Sequence, residues 1–246
     1  MGFMSPRKLR WGLLAAAGAL VAGSAGVAAD SGAASTTLSF FSGGDGAHAD
    51  WLATTDQPPG DTDNQAVQLQ TTNDAPTFAA GYAGILFHHV TGIPAAAFPD
   101  SEFWVRSTDY AGPSLASPRL VVEFQTPAGT YDGNADLRPQ TLTGSWQDVS
   151  DVNDYPNSAW DVSGGGCPFV YNTTWPTVQS CFAGDTVLSV FIVGDPYGYR
   201  YLIDDMSVNG KRFSSASDNG GGNNTAAGPA ATTDPSLLPA VMVPAL

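Results

Sequence analysis

Beyond its N-terminal segment, this chain never sustains the 3.6-residue apolar period of an amphipathic helix. Its apolar residues come in short bursts separated by Gly, Pro, Asn and Asp, the pattern of many short strands joined by turns. The 28 glycines and 18 prolines supply that punctuation, since each interrupts a helix or a strand ladder. Candidate strands are residues 37–41, 66–70, 84–90, 102–107, 119–125, 145–149, 186–193 and 200–208. In the segment 119–125, Leu120, Val122 and Phe124 share one face and Val121, Glu123 and Gln125 the other, a half-buried strand. The segment 186–193 is apolar almost throughout, which places it mid-sheet with both faces covered. Of the 23 acidic residues all but Glu102 and Glu123 are Asp, a choice that avoids good helix formers. The expectation is an all-β sandwich or barrel with little helix.

The two ends are different material. Arg7, Lys8 and Arg10 precede an uncharged run of Ala, Gly, Leu and Val up to Ala29, and Val27-Ala28-Ala29 offers the small residues that a signal peptidase needs. Residues 1–29 are therefore expected to be a cleaved signal peptide, with an uncleaved anchor as the competing reading, since the run approaches the ~20 residues that span a bilayer. From residue 214 to 246 the chain is Ser, Asn, Gly, Ala, Pro and Thr with a short proline-cut apolar end. It is expected to be a disordered tail. Between them residues 38–213 are expected to form one domain of about 175 residues, with a core of its own.

After cleavage six basic residues face 23 acidic ones, a formal charge of −17. Such a surface repels phosphate backbones and anionic lipids, which argues against nucleic acid as a partner and against stable membrane insertion. The address implied is secreted, extracellular. In that oxidising compartment Cys167 and Cys181, the only cysteines, are expected to form a structural disulfide.

The most informative segment is the last candidate strand. Strict alternation in residues 199–210 puts Leu202, Asp204, Met206 and Val208 on one face and Tyr201, Ile203, Asp205 and Ser207 on the other. If Asp204 faces the core it needs a cation or several backbone N–H donors, because an isolated buried carboxylate is costly. Structural Ca²⁺ is one reading, and a carboxylate capping turn amides is the other.

Phe40-Phe41 with Trp51, then Gly60-Asp61-Thr62-Asp63-Asn64 before Val67 and Leu69, lead to Phe103-Trp104-Val105-Arg106-Ser107, Trp146 and Ile203-Asp204-Asp205-Met206. Over residues 38–213 this order resembles the jelly-roll carbohydrate-binding modules of the galactose-binding-like type. The resemblance implies a β-sandwich of jelly-roll type and a structural Ca²⁺ held by Asp204, with Asp45, Asp61, Asp63 or Asn64 contributing from the early loops. Ser39-Phe40-Phe41-Ser42 stands where that family usually has Asn-x-x-Phe-Glu, so the family's Glu ligand has no counterpart.

A saccharide is held by stacking on aromatic rings while short polar side chains take its hydroxyls. Residues 146–175 combine both: Trp146, Tyr155, Trp160, Tyr171 and Trp175 with Gln147, Asp148, Asp151, Asn153, Asp154, Asn157 and Asp161, around Cys167. Tyr155, Trp160 and Trp175, beside Pro, Asn and Gly, are candidate ligand contacts, whereas Trp104 and Trp146 sit in strand patterns and are assigned to packing. Tyr197 and Tyr199 form a second candidate cluster at the turn entering the last strand, which hairpin chemistry explains equally well.

No Gly-x-Ser-x-Gly elbow, His-Glu-x-x-His or phosphate-binding glycine loop occurs. Glycosidases need a carboxylate pair at a set separation, and nothing in the sequence singles one out. The expected function is non-catalytic glycan binding, with a structural or protein-interaction module of the cell surface as the alternative and a hydrolase as the second alternative.

Overall fold

The computed structural model describes residues 38–73, 80–114 and 117–213, at Val152 and Asn153 for the backbone only. The expected signal peptide and tail lie outside the described residues. Along the chain run β1 (Leu38–Ser42), β2 (His48–Ala53), β3 (Gln65–Gln70), β4 (Ala83–Phe87), β5 (Glu102–Ser107), β6 (Gly112–Pro113), β7 (Arg119–Gln125) and β8 (Tyr131–Pro139). They continue as β9 (Thr141–Leu142), β10 (Gln147–Val149), β11 (Ser158–Gly164), β12 (Cys167–Thr173), β13 (Thr186–Gly194), β14 (Arg200–Val208) and β15 (Lys211–Phe213). Among the described residues helix is confined to a 3₁₀ turn at Ala95–Ala97 and two short pieces, α1 (Asp151–Asp154) and α2 (Trp175–Cys181).

The strands build an antiparallel sandwich. One sheet has the order β1-β4-β13-β7-β8-β11-β12, the other β10-β5-β14-β3-β2 with β15 beside β14, and β6-β9 form a small ribbon. Successive strands lie in opposite sheets at β1–β2, β3–β4, β4–β5, β10–β11 and β13–β14, so sequence neighbours contribute to opposite sides of the core. Period-two alternation fills the core from both sides: Leu120, Val122 and Phe124 from β7 meet Val67, Leu69, Phe103, Val105, Tyr201 and Ile203 from the second sheet in one cluster. Each such fully buried side chain contributes about 1.5–3 kcal/mol.

The expectation for residues 186–193 holds. β13 lies between β4 and β7, with Val187, Val190 and Ile192 in the main core and Phe191 and Val193 in a second cluster on the opposite face. β7 departs from its half-buried reading, since its outward face is covered too: Val121 joins that second cluster and Glu123 is buried. On the same face Arg119 is buried and paired with Asp195 and Asp136, which satisfies a charge that would otherwise be desolvated.

The expected disulfide is present and ties β12 to α2. It encloses a loop of 14 residues' separation, so reduction is expected to lower unfolding stability by about 3 kcal/mol on the chain-entropy model. Denaturant melts with and without reductant measure this. The turn before the bridge depends on glycine: a Cβ at Gly133 would stand 2.2 Å from the Ser163 carbonyl, and Gly164 opposite it holds φ +104°.

Candidate functional site

Alternation in β14 does not run through. At Asp205, in the left-handed region with φ 45°, the strand slips so that Asp204 pairs with Trp104 but Ser207 with Glu102, a β-bulge. Tyr201, Ile203, Met206 and Val208 consequently all reach the core. Asp204 does not share a face with Met206 and Val208 as strict alternation requires; it turns to the outer side of the second sheet. There the β2–β3 loop folds over it and leaves it fully buried.

That loop is shaped by its own polar side chains. Thr54 N–H donates to the Asn64 carbonyl at 2.9 Å, and the Gln57 amide donates to the Thr54 and Gln65 carbonyls at 3.0 and 3.3 Å. Asp61 Oδ1 accepts the N–H groups of Thr62 and Asp63 at 2.5 and 3.1 Å. Asp63 Oδ1 accepts that of Gln65, and Asp204 Oδ1 that of Asp205, each at 2.8 Å. Each carboxylate thus spends one oxygen on a backbone amide. The other oxygens, Asp61 Oδ2, Asp63 Oδ2 and Asp204 Oδ2, are buried without a hydrogen-bond partner, as is Gln57 Oε1. Ligand atoms of the three acids come within 4.8 Å of one another.

Three carboxylates this close repel. Burial pushes the Asp204 carboxyl up to about 8; the Asp205 N–H opposes that rise, and the charges of Asp61, Asp63 and Asp205 add to it. Asp205 is also raised, chiefly by burial, against the pull of Arg212. Buried, unpaired carboxylate oxygens converging on one point suit a hard divalent cation, so the residues fit the Ca²⁺ expected at Asp204 and Asp63, with Asp61 as the third acid. Asp45 is not among the three acids, being exposed in the turn before β2. Asn64 closes the loop at φ 62° with its Nδ2 donating to the Thr62 carbonyl.

The segment 146–175 is not one long loop but β10, α1, β11, β12 and the start of α2. Trp160 and Trp175, expected as ligand contacts, are core residues. Trp160 stands on the inner face of β11 opposite Leu137, its rings 4.6 Å from those of Trp175. Both indole N–H groups are satisfied internally, by Asp100 Oδ1 at 3.2 Å and the Phe98 carbonyl at 3.0 Å. The Pro, Asn and Gly beside them mark strand and helix ends rather than exposed loops. Tyr199 stacks on Tyr110 at 4.4 Å between centroids and lies near-parallel to Tyr197 at 6.3 Å, so neighbouring tyrosines take up ring surface on which a sugar would stack. Tyr197 is half-buried at the end of that stack.

Tyr155 is exposed, at 49%, and flanks a cleft of about 410 Å³ lined by Gln140, Thr141, Gln147, Asp148, Asp154 and Asn157. Gln140 Nε2 and the Tyr155 hydroxyl both donate to Asn172, to its Oδ1 and its carbonyl at 2.8 and 3.3 Å. Gln147 is fixed by donating to the Thr141 carbonyl and accepting the Thr143 N–H. Asp154 accepts from Asn157 Nδ2 and Ser158 Oγ. Four of the six lining residues come from the polar run named from sequence. Gln140 and Thr141 do not, because they enter from the β8–β9 junction and the start of β9 and nothing local marks them.

Other candidates are placed elsewhere. Glu123 lies buried on the outer face of the first sheet, with Ser189 Oγ donating to it at 2.6 Å, and burial raises its carboxyl to about 7. Among the described residues no helix is long and apolar enough to cross a membrane.

No protein-family model and no curated protein matches this chain. Among solved structures it is similar to an arabinose-bound α-L-arabinofuranosidase, at 10% identity and a TM-score of 0.35, over 69% of this chain. The likeness covers 23% of that enzyme's chain, less than a quarter of its length.

Proposed function

We propose that the protein is a non-catalytic glycan-binding protein that works outside the cytoplasm and holds a neutral saccharide in the cleft beside Tyr155. The observation that carries this reading is the lining: six polar side chains and no apolar one around about 410 Å³. The vicinal hydroxyls of a saccharide match the amides and carboxylates of such a wall. Asp148 and Asp154 in the wall disfavour anionic ligands. Internal hydrogen bonds hold the lining in place before a ligand arrives, which lowers the ordering cost of binding. Both Asp154 oxygens are taken by Asn157 and Ser158, an arrangement for a fixed acceptor rather than a proton donor. The disulfide supports the extracellular address, and the order of features resembling galactose-binding-like modules supports the ligand class. Structural Ca²⁺ at Asp61, Asp63 and Asp204 belongs to the same reading: it neutralises the acids that would otherwise push the β2–β3 loop off the sheet.

Incubation with insoluble cellulose, xylan and chitin and with a printed glycan array tests the reading. Retention of at least one neutral glycan is expected. Asn157→Ala is expected to weaken it about tenfold, the effect of roughly 1.4 kcal/mol of hydrogen bonding; Gln147→Ala is expected to do the same and also to lower the melting temperature, because the Thr141 carbonyl and the Thr143 N–H lose their partner. No glycan bound under any condition would sink the reading. It would favour the interaction module instead, for which Phe169 and Tyr171, 66% and 59% exposed on the edge strand β12, are the specific support.

A further inference from the structure

Three of the four large apolar side chains that stand exposed among the described residues lie along one track: Tyr155 beside the cleft, and Phe169 and Tyr171 on β12. The strand that carries the last two has no charged residue, although the protein holds 23 acids. A single exposed ring on a surface is ordinary, whereas adjacent ones mark a place of interaction.

Alternation sets where the two rings of β12 point. Val170 pairs with Val162 and packs against the core, so Phe169 and Tyr171, one residue to either side, project from the outer face of the first sheet. At a rise of ~3.3 Å per residue their Cα atoms stand about 7 Å apart. Asn172, next along the strand, touches the cleft: its Oδ1 accepts from Gln140 Nε2 at 2.8 Å and its carbonyl from the Tyr155 hydroxyl at 3.3 Å. Gln140 is itself a lining residue. The cleft and the rings of β12 thus form one continuous surface.

That surface is held in shape before any ligand arrives. Trp160 pairs with Thr173 and Val162 with Val170, so Tyr171 and Asn172 together oppose Asp161, a β-bulge with Asn172 at φ 52°. Asp161 pins the bulge: its Oδ1 accepts the Asn172 N–H at 2.9 Å while its Oδ2 accepts from Arg138 Nε at 2.7 Å. At the other end the Cys167–Cys181 bridge ties β12 to α2. Rings on a strand fixed at both ends lose little freedom when a ligand stacks on them.

β12 ends the first sheet, yet its edge is a poor template for a partner's strand, because Pro168 has no N–H to donate and the bulge interrupts the ladder. Its distinctive feature is a pair of exposed rings beside polar side chains, which suits a sugar unit: the C–H face stacks and the hydroxyls hydrogen-bond. We propose that Phe169 and Tyr171 extend the cleft into a stacking platform, so that the ligand is a neutral saccharide chain several units long, laid along β12, and not a lone sugar residue. This inference rests on the glycan-binding reading above and gives that reading its ligand class.

Calorimetric titration of the full-length protein with cello-, xylo- and chito-oligosaccharides, from disaccharide to hexasaccharide, tests the platform. In the series that binds, wild-type affinity is expected to climb at least tenfold from the shortest member to the longest. Phe169→Ala and Tyr171→Ala are each expected to flatten the climb, weakening the hexasaccharide about fivefold, the worth of one stacked ring. Their melting temperatures should not move, because both rings are exposed. Tyr171→Phe, which keeps the ring, is expected to retain the climb, and Tyr171→Leu, apolar without a ring face, to lose it. Asn157→Ala, in the cleft, is expected to lower the whole series by a similar factor. Affinity independent of length in the wild type, or a climb that survives both alanine substitutions, overturns the platform and leaves the cleft reading standing. No binding of any member by the wild type overturns both, and self-association abolished by the two alanine variants would then assign the rings to a protein contact.

Discussion

Calcium at a thousandfold excess over its dissociation constant is expected to stabilise the chelator-stripped protein by about 4 kcal/mol, a rise in melting temperature of roughly 8–16 °C for a domain of this size. Unfolding destroys the site, because Asp61 and Asp63 meet Asp204 only when the β2–β3 loop lies over β14. The response should grow with pH. Without a cation, the raised Asp204 carboxyl contributes stability at low pH that drains away as the pH climbs through about 8; a bound cation removes the like-charge repulsion on the alkaline side. Asp204→Asn separates the terms: the variant should ignore calcium, yet in chelator above pH 8 it should melt no lower than the wild type, since it has no charge to desolvate. Identical melting of the wild type in calcium and in chelator at pH 8.5 would exclude the cation and leave the acids as turn caps alone.

Trp160→Ala and Trp175→Ala are expected to cost about 3–5 kcal/mol each, the range for emptying an aromatic site in a packed core. The cause is compounded for Trp160: besides the void against Trp175 and Leu137, Asp100 loses its indole donor. Tyr155→Ala should leave stability within roughly 0.5 kcal/mol, because the ring is half exposed. Urea titrations of the three variants give the contrast directly. A Trp160→Ala protein as stable as the wild type would contradict the packing described here.

The sequence alone determined the class of fold and most of its central strands. Punctuated apolar bursts can bury a continuous surface only as strands, so β5, β7, β13 and β14 fall where those bursts put them, and the disulfide follows from the presence of two cysteines. Other strands escaped: β8, with Asp132, Asn134, Asp136 and Arg138 on its outward positions, has no apolar burst to betray it, and β12 carries Phe169, Val170 and Tyr171 at the exposed sheet edge within a stretch that reads as a loop around Cys167. Their structure comes from partners far away in the chain. The candidate sites divide in the same way. Asp204 was legible because a carboxylate among apolar residues must answer to something, and Asp61 and Asp63 because an Asp-rich loop precedes β3. Which side of the sheet Asp204 occupies was decided by the bulge at Asp205, a one-residue slip that local composition does not encode. Whether a tryptophan is a ligand platform or a core residue was likewise beyond the sequence, since Pro, Asn and Gly flank strand ends and open loops alike. Burial is a property of what packs on top. For Trp160 and Trp175 that is each other, and for the cleft it is the meeting of the β8–β9 junction, β10 and α1, which only the closed sandwich brings together.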